Sequence, residues 1–210
     1  DIQECHLPET LLNMIWPVVE AEHIPGLDRV ILRSGEGEQD ALLILESKDP
    51  HPLSFELDLP LSAVYQGPGG EIVLAGDDFT ILEIYGFPFV VSAGSFFQVN
   101  TLAAELMVDH LLDILQPLDN ALVLDVYCGV GLFSLFLAER GGQVIGVESN
   151  PSAVDDFRYN LSGYDQVKIF DAAAEEVLPH LQLAPDVIIL DPPRGGISPT
   201  VLDSMVDLAP

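Results

Sequence analysis

Five residues between 125 and 148 have the types and spacing to hold a nucleoside. Asp125 lies near the end of the apolar run LVLDV. Cys128, Gly129 and Gly131 follow in a short loop, and Glu148 ends the next apolar run, QVIGVE. Glycines in such a loop let the backbone turn sharply and approach a ligand closely. A carboxylate ending the second strand can accept both hydroxyl hydrogens of a ribose. The loop reads DxxCGxG, and Ser134 stands where a dinucleotide fingerprint would carry its third glycine. Without that glycine, and with no base close by, the diphosphate grip is poorly made. The pattern favours S-adenosylmethionine (SAM) over NAD. Read purely as structure, the glycines are an ordinary αβ turn; Glu148 and the second motif weigh against that. Cys128 reads as a small side chain packed beside the ligand rather than as a nucleophile.

The second motif is DPPRGG, residues 191 to 196. Asp191 closes a strand rich in β-branched residues, and Pro192 and Pro193 stiffen the loop beyond it. Such a loop can hold a planar substrate beside a methyl donor, with Asp191 accepting an N–H hydrogen bond and Arg194 pairing with a phosphate or an acidic neighbour. A stiff turn ahead of a helix is the plainer alternative. Phe96, Phe97, Gln98 and Asn100 form a further patch. Gln98 offers an amide donor and acceptor that match one edge of uracil, and one phenylalanine could stack on a base. Paired phenylalanines are commonly core, so one of the two is expected inside. Cys5 and His6 make a weak metal pair, His110 and His180 read as surface or packing residues, and no metal site is expected.

These residues need a scaffold. From residue 121 onward strands and helices alternate: strands at 121–126, 143–148, 166–171 and 186–191, with helices near 131–139, 151–161, 173–181 and 199–208. That is the pattern of repeated βαβ units and a parallel sheet. About four parallel strands are few for a doubly wound sheet, so more are expected downstream. Residues 28 to 92 read as short strands in an antiparallel meander, with turns at GEGEQD and GPGG. ETLLNMIWPVVEAE has helical spacing broken by Pro17. TLAAELMVDHLLDILQPL reads as an amphipathic helix with Leu102, Leu106 and Leu112 among its apolar positions, capped by Asn100 or Thr101. The expected division is a β-rich domain with an N-terminal helix over 1–94 and a partial Rossmann-like domain over 95–210.

Composition narrows the classes. The chain has 210 residues, 49% of them hydrophobic, and 34 acids against 7 Lys plus Arg, for a net charge of −27. The acids are spread over both halves, so no acidic tail explains them. Such a field repels nucleic acid unless a basic patch overrides it. Two distant cysteines fit no disulfide framework and favour a reducing compartment. With no apolar run of membrane length and no secretory signal, the reading is cytoplasmic and not membrane-bound.

FFQVN, LDVYCGVGLFSL, GVESNPSAVDDFRYN and DPPRGG, in this order and spacing, resemble the RNA 5-methyluridine methyltransferases. These enzymes methylate uracil C5 in 23S ribosomal or transfer RNA. The resemblance covers most of the chain and is strongest over 95–205. It implies a class I SAM-dependent methyltransferase domain preceded by an antiparallel β-rich domain. It places Gln98, Asp125, Tyr127, Gly129, Gly131, Glu148 and Asp191 around SAM, with Glu148 on its ribose. It places Phe96, Phe97, Gln98 and Arg194 on the substrate side, and Asp191 against the target uracil. The family mechanism is attack of a cysteine thiolate on uracil C6, methyl transfer to C5, and removal of the C5 proton by a glutamate. Neither the nucleophile, in a motif like SCNP, nor the base is visible before Pro210. The chain is therefore read as part of an enzyme, able to bind SAM and inactive alone. The sequence departs from the family in three further ways. Cys5 stands near the place of the last iron–sulfur cysteine without its partners. Gly195 replaces a common basic residue. Ala173 replaces an aspartate, with Asp171 two residues earlier. Together with the acidic charge, these departures weigh against RNA binding by this stretch. The alternatives are a SAM-dependent methyltransferase of another substrate and a non-catalytic SAM-binding domain.

Overall fold

The computed structural model of the chain describes residues 10–15, 26–35, 40–51, 61–115 and 117–208. The Pro17 break, Cys5, the SFELDL segment and the tip of GEGEQD lie outside them. The chain forms two compact units, Asp1–Ala93 with Gln98–Leu102, and Gly94–Phe97 with Ala103–Pro210. Among the described residues no helix is long and apolar enough to cross a membrane, and no group of three or more His, Cys, Asp or Glu is arranged to hold a metal ion.

The first unit begins with α1 (Thr10–Ile15) and a four-stranded sheet of β1 (Leu27–Ser34), β2 (Ala41–Ser47), β3 (Ser62–Gly67) and β4 (Gly70–Ala75), in that order. The expected antiparallel meander is interrupted: β2 and β3 run parallel, while β1–β2 and β3–β4 are antiparallel. The reason is visible in β2 itself. Its run ALLIL is buried on both faces rather than on alternate positions, as a central strand next to a parallel neighbour requires. The 48–61 connection supplies the crossover length that parallel pairing needs. GPGG does make the expected β3–β4 turn, with Gly67 opposite Gly70. A separate ribbon, β5 (Phe79–Ile84) and β6 (Phe87–Ser92), closes through Tyr85 and Gly86, both at positive φ. Positive φ at both central residues is the backbone of a two-residue hairpin turn. Arg33 on β1 donates to the Val91 and Ser92 carbonyls at 3.1 and 2.8 Å, tying the sheet to the ribbon.

The second unit is an α/β layer structure. α2 (Thr101–Ile114) leads into β7 (Leu122–Val126), α3 (Leu132–Glu139), β8 (Gln143–Glu148), α4 (Pro151–Asn160), β9 (Val167–Asp171), α5 (Ala174–Val177) with a 3₁₀ turn (Leu178–His180), β10 (Val187–Leu190) and α6 (Pro199–Leu208). The sheet order is β10-β7-β8-β9, all parallel. Alternation along β7 sorts the two faces. Leu124 and Val126 join Val147, Ala174, Leu178 and Val201 in one core under α5 and α6. Asp125 points to the other face, where its carboxylate meets Ser134 of α3. The chain order reverses at β7, with β8 and β9 on one side and β10 on the other. In open α/β sheets the crevice at such a reversal is where ligands bind.

The helix α2 buries Ala104, Val108 and Leu112, spaced four apart, while Leu102 and Leu106 are exposed. Only Leu112 of the three expected apolar positions faces the core. The small Ala104 at the buried stripe permits close approach, and apolar residues elsewhere on the helix concealed that stripe from the sequence.

Candidate functional site

The parallel register brings the C-terminal ends of four strands level. Leu190 pairs with Val126, Val126 with Val147, and Glu148 with Asp171. Asp191, the glycine loop and Glu148 therefore lie side by side along one edge. The loop is fixed by its own backbone. The N–H groups of Tyr127 and Cys128 both donate to the Val147 carbonyl, at 2.9 and 3.2 Å, and the Gly131 N–H donates to the Cys128 carbonyl at 3.0 Å. Asn160, at the end of α4, donates its side-chain amide to the Val130 carbonyl at 3.1 Å. The turn demands positive φ at Tyr127, Gly129 and Gly131. For tyrosine that conformation costs on the order of 1–2 kcal/mol, which the loop's hydrogen bonds must hold in place.

Glu148 is turned onto this loop. One carboxylate oxygen accepts the Gly129 N–H at 3.1 Å, and the other accepts the Ser149 and Asn150 N–H groups at 2.8 Å each. Two oxygens offer about four acceptor positions, so the carboxylate keeps roughly one free while the loop is bound. Beyond Gly129 the path is open: a Cβ built there meets nothing within 4 Å.

Asn150 joins several parts. Its side-chain oxygen caps α4 by accepting the Ala153 N–H at 3.2 Å, and its amide donates to the Gly94 carbonyl at 2.9 Å. Ser95 donates to Asp156 of α4, a buried pair. The segment that carries Phe96 and Phe97 is thus anchored to the element entered through Glu148. The two phenylalanines divide: Phe97 is buried and Phe96 is 71% exposed. Gln98 is half-buried and belongs to the first unit. Asp191 and Arg194 are both exposed.

Asp125 of β7 is 1% exposed. Ser134 donates its hydroxyl to one carboxylate oxygen at 2.6 Å, and the other oxygen is buried without a partner. Burial pushes the carboxyl up to about 6; the Ser134 hydrogen bond opposes this and the Asp191 and Glu148 charges add to it. Tyr127 is held above its ordinary value by burial and then by Glu175.

The Cys128 side chain points into the sheet. Its sulfur lies 2.8 Å from where a Cβ on Gly146 would stand, so only glycine at 146 leaves it room. The small thiol is packed against β8. Burial, then Asp125 and Glu148, raise it well above the ordinary thiol value, and a thiol kept protonated is a poor nucleophile. Iodoacetamide is expected to spare Cys128 in the folded chain and to label it after denaturation, read by peptide mass spectrometry. Native labelling at Cys128 would contradict this placement.

Of the family's expected contacts, Asp171 is engaged elsewhere, at 3.3 Å from Arg158, and Ala173 opens the short helix α5. Two contributors had escaped the sequence argument. Asn150 carried the signal of a cap followed by proline, N-P at a helix start. Ser134 was the one hydroxyl in LFSLFLAE, and was treated only as a missing glycine.

A parallel sheet reversed at β7, with a glycine loop, a strand-end glutamate and an orphaned buried carboxylate oxygen at that point, is the Rossmann-like architecture of SAM-dependent methyltransferases. The residues fit that cofactor: open space at Gly129 and, beside it, a carboxylate able to accept from a hydroxyl. Comparison gives the family. Residues 79–208 match the tRNA (uracil-5-)-methyltransferase family, and the chain belongs to it. It is 36% identical to an uncharacterised RNA methyltransferase of Streptomyces avermitilis, over 90% of this chain and 46% of that protein. It is also 36% identical to one of Thermosynechococcus vestitus, over 100% of this chain and 54% of that protein. The chain thus spans about half the length of the curated relatives it matches. Its fold is similar to that of the Pyrococcus abyssi tRNA (uracil-54, C5)-methyltransferase, solved with S-adenosyl-L-homocysteine, with a TM-score of 0.65 and 24% identity over 86% of this chain and 47% of that one.

Proposed function

We propose that this chain is the cofactor-holding part of an enzyme that methylates uracil C5 in RNA, with 23S ribosomal RNA as the target and transfer RNA as the alternative. The observation that carries the reading is the Glu148 carboxylate turned onto the Gly129 N–H at the sheet's switch point. SAM, when bound, supplies an electrophilic methyl group. In this reading Glu148 holds its ribose and Gly129 gives it room. Asp191, exposed at the adjoining strand end, accepts an N–H hydrogen bond from the target base. Exposed Phe96 offers a stacking face, and Arg194 adds a polar contact to phosphate.

The same reading assigns the covalent step elsewhere. Cys128 is buried and protonated, so a nucleophile for uracil C6 and a base for the C5 proton are proposed to lie outside this stretch. The 210-residue chain is expected to bind S-adenosylhomocysteine in a calorimetric titration. Offered SAM labelled in its methyl group, it is expected to transfer no methyl to either RNA. Turnover by this chain would overturn that division of labour.

The net charge of −27 favours a second reading, a SAM-binding unit that makes no RNA contact of its own. Filter binding across salt concentrations separates the two, because phosphate contacts make affinity fall steeply with salt.

A further inference from the structure

Three carboxylates gather at the edge of the second unit's sheet with no base among them. Asp125 comes from β7, Glu148 from the end of β8 and Asp191 from the loop after β10. The charges of Asp191 and Glu148 both reach Asp125. The other groups facing Asp125 are Ser134 of α3 and the Cys128 thiol of the loop. Among the described residues no lysine or arginine makes an ion pair with any of the three acids. Arg29, Lys48 and Arg158 pair with Glu46, Asp28, Asp155 and Asp171 instead. Acidic side chains alone would mean little in so acidic a chain. The second observation is the sealed Asp125 oxygen with no donor. A buried acceptor left unpaired is costly, and more so when it carries charge.

We propose that this cluster is a receptor for the positive charge of the methyl donor, and that Asp125 gives up its proton to solvent when the donor binds. The inference rests on the cofactor reading above. SAM carries a sulfonium, a full positive charge, where S-adenosylhomocysteine carries a neutral thioether. Nothing but the Asp125 O–H bond breaks, and the proton passes to water. The cation need not touch Asp125, because a charge acts over several ångströms where water is excluded.

The sign follows from the free site. Its carboxyl is held near 6. Below that pH the site holds a proton that the donor must expel, so affinity for the donor is reduced. Above it the carboxylate is already charged and affinity is full. A unit charge within about 10 Å, at an effective dielectric of roughly 20, shifts such a carboxyl by on the order of one unit, a tenfold change in affinity. The neutral thioether exerts no such pull. The affinity ratio of SAM to S-adenosylhomocysteine therefore rises by about fivefold between about pH 5 and 7.5, and by about tenfold over the full titration.

The experiment is calorimetric titration of the chain with each ligand across that range, in two buffers of different ionisation enthalpy. Near pH 6 SAM is expected to release a larger fraction of a proton than S-adenosylhomocysteine does. Asp125→Asn is expected to remove both the release and the pH dependence of the ratio. Ser134→Ala withdraws the hydrogen bond that favours the carboxylate, so it moves the midpoint to higher pH; it serves if Asp125→Asn fails to fold. A ratio that stays flat with pH in the unmodified chain overturns the inference. So does an unchanged slope in Asp125→Asn, or an unmoved midpoint in Ser134→Ala. If neither ligand binds at about pH 7.5, the cofactor reading falls as well. If both bind and their ratio ignores pH, only the charge receptor falls.

Discussion

Replacing Glu148 with alanine is expected to weaken S-adenosylhomocysteine binding several-fold to a few hundredfold, about 1–3 kcal/mol. The effect has two sources. The first is the pair of hydrogen bonds that, in the proposed reading, the carboxylate accepts from the ribose hydroxyls. Charge-assisted bonds of this kind are about twice as strong as neutral ones. The second is the loop itself. Without the carboxylate the Gly129, Ser149 and Asn150 N–H groups lose their acceptor, and the cradle is no longer held open in one shape. Glu148→Gln separates the two. Its amide oxygen can still accept from Ser149 and Asn150, but its NH₂ faces the Gly129 N–H, donor against donor. An intermediate loss is expected. Calorimetric titration at neutral pH reads all three proteins, and equal affinity in Glu148→Ala would remove the ribose from this position.

How far the sequence could lead differs between the two units. In the second unit the strands near 121–126, 143–148, 166–171 and 186–191 fall within a residue of β7, β8, β9 and β10. Apolar runs bounded by Gly, Asp and Pro leave little freedom about where such strands begin and end. The spacing from Gly131 to Glu148 likewise put the acid at the right strand end. What spacing does not encode is the direction of a side chain. Cys128 turning into the sheet depends on the room left by Gly146, eighteen positions on. Asp125 losing its water depends on Ser134 of α3 and on the packing around it. In the first unit the difficulty was of another kind. Strand positions were readable, but β2–β3 pairing is a long-range choice, set by burial on both faces and not by turn residues. The continuous ALLIL run held that information, and only a buried neighbour on each side makes its meaning plain.

The two glycines of the loop are expected to fail in opposite ways when a methyl group is added. Gly131 sits at φ +93 with Leu161 Cδ1 2.3 Å and Phe157 Cδ2 2.9 Å from where its Cβ would be. Phe157 and Leu161 are buried, so neither can withdraw without disturbing α4. Backbone strain and overpacking each cost on the order of 1–2 kcal/mol, and Gly131→Ala is expected to lose about 2–4 kcal/mol of stability. Gly129 has φ +54 and open space around its Cβ, so Gly129→Ala is expected to cost only about 1–2 kcal/mol, from the backbone alone. The space its methyl would enter is the space assigned to the cofactor. Gly129→Ala is therefore expected to fold and to lose S-adenosylhomocysteine binding. Gly131→Ala is expected to melt early, while any folded fraction still binds. Thermal unfolding monitored by circular dichroism, with and without S-adenosylhomocysteine, reads both. Ligand raises the midpoint of a protein it binds and leaves that of a non-binder unmoved. A Gly129→Ala protein stabilised by ligand as strongly as the parent would mean that the nucleoside does not lie over the loop.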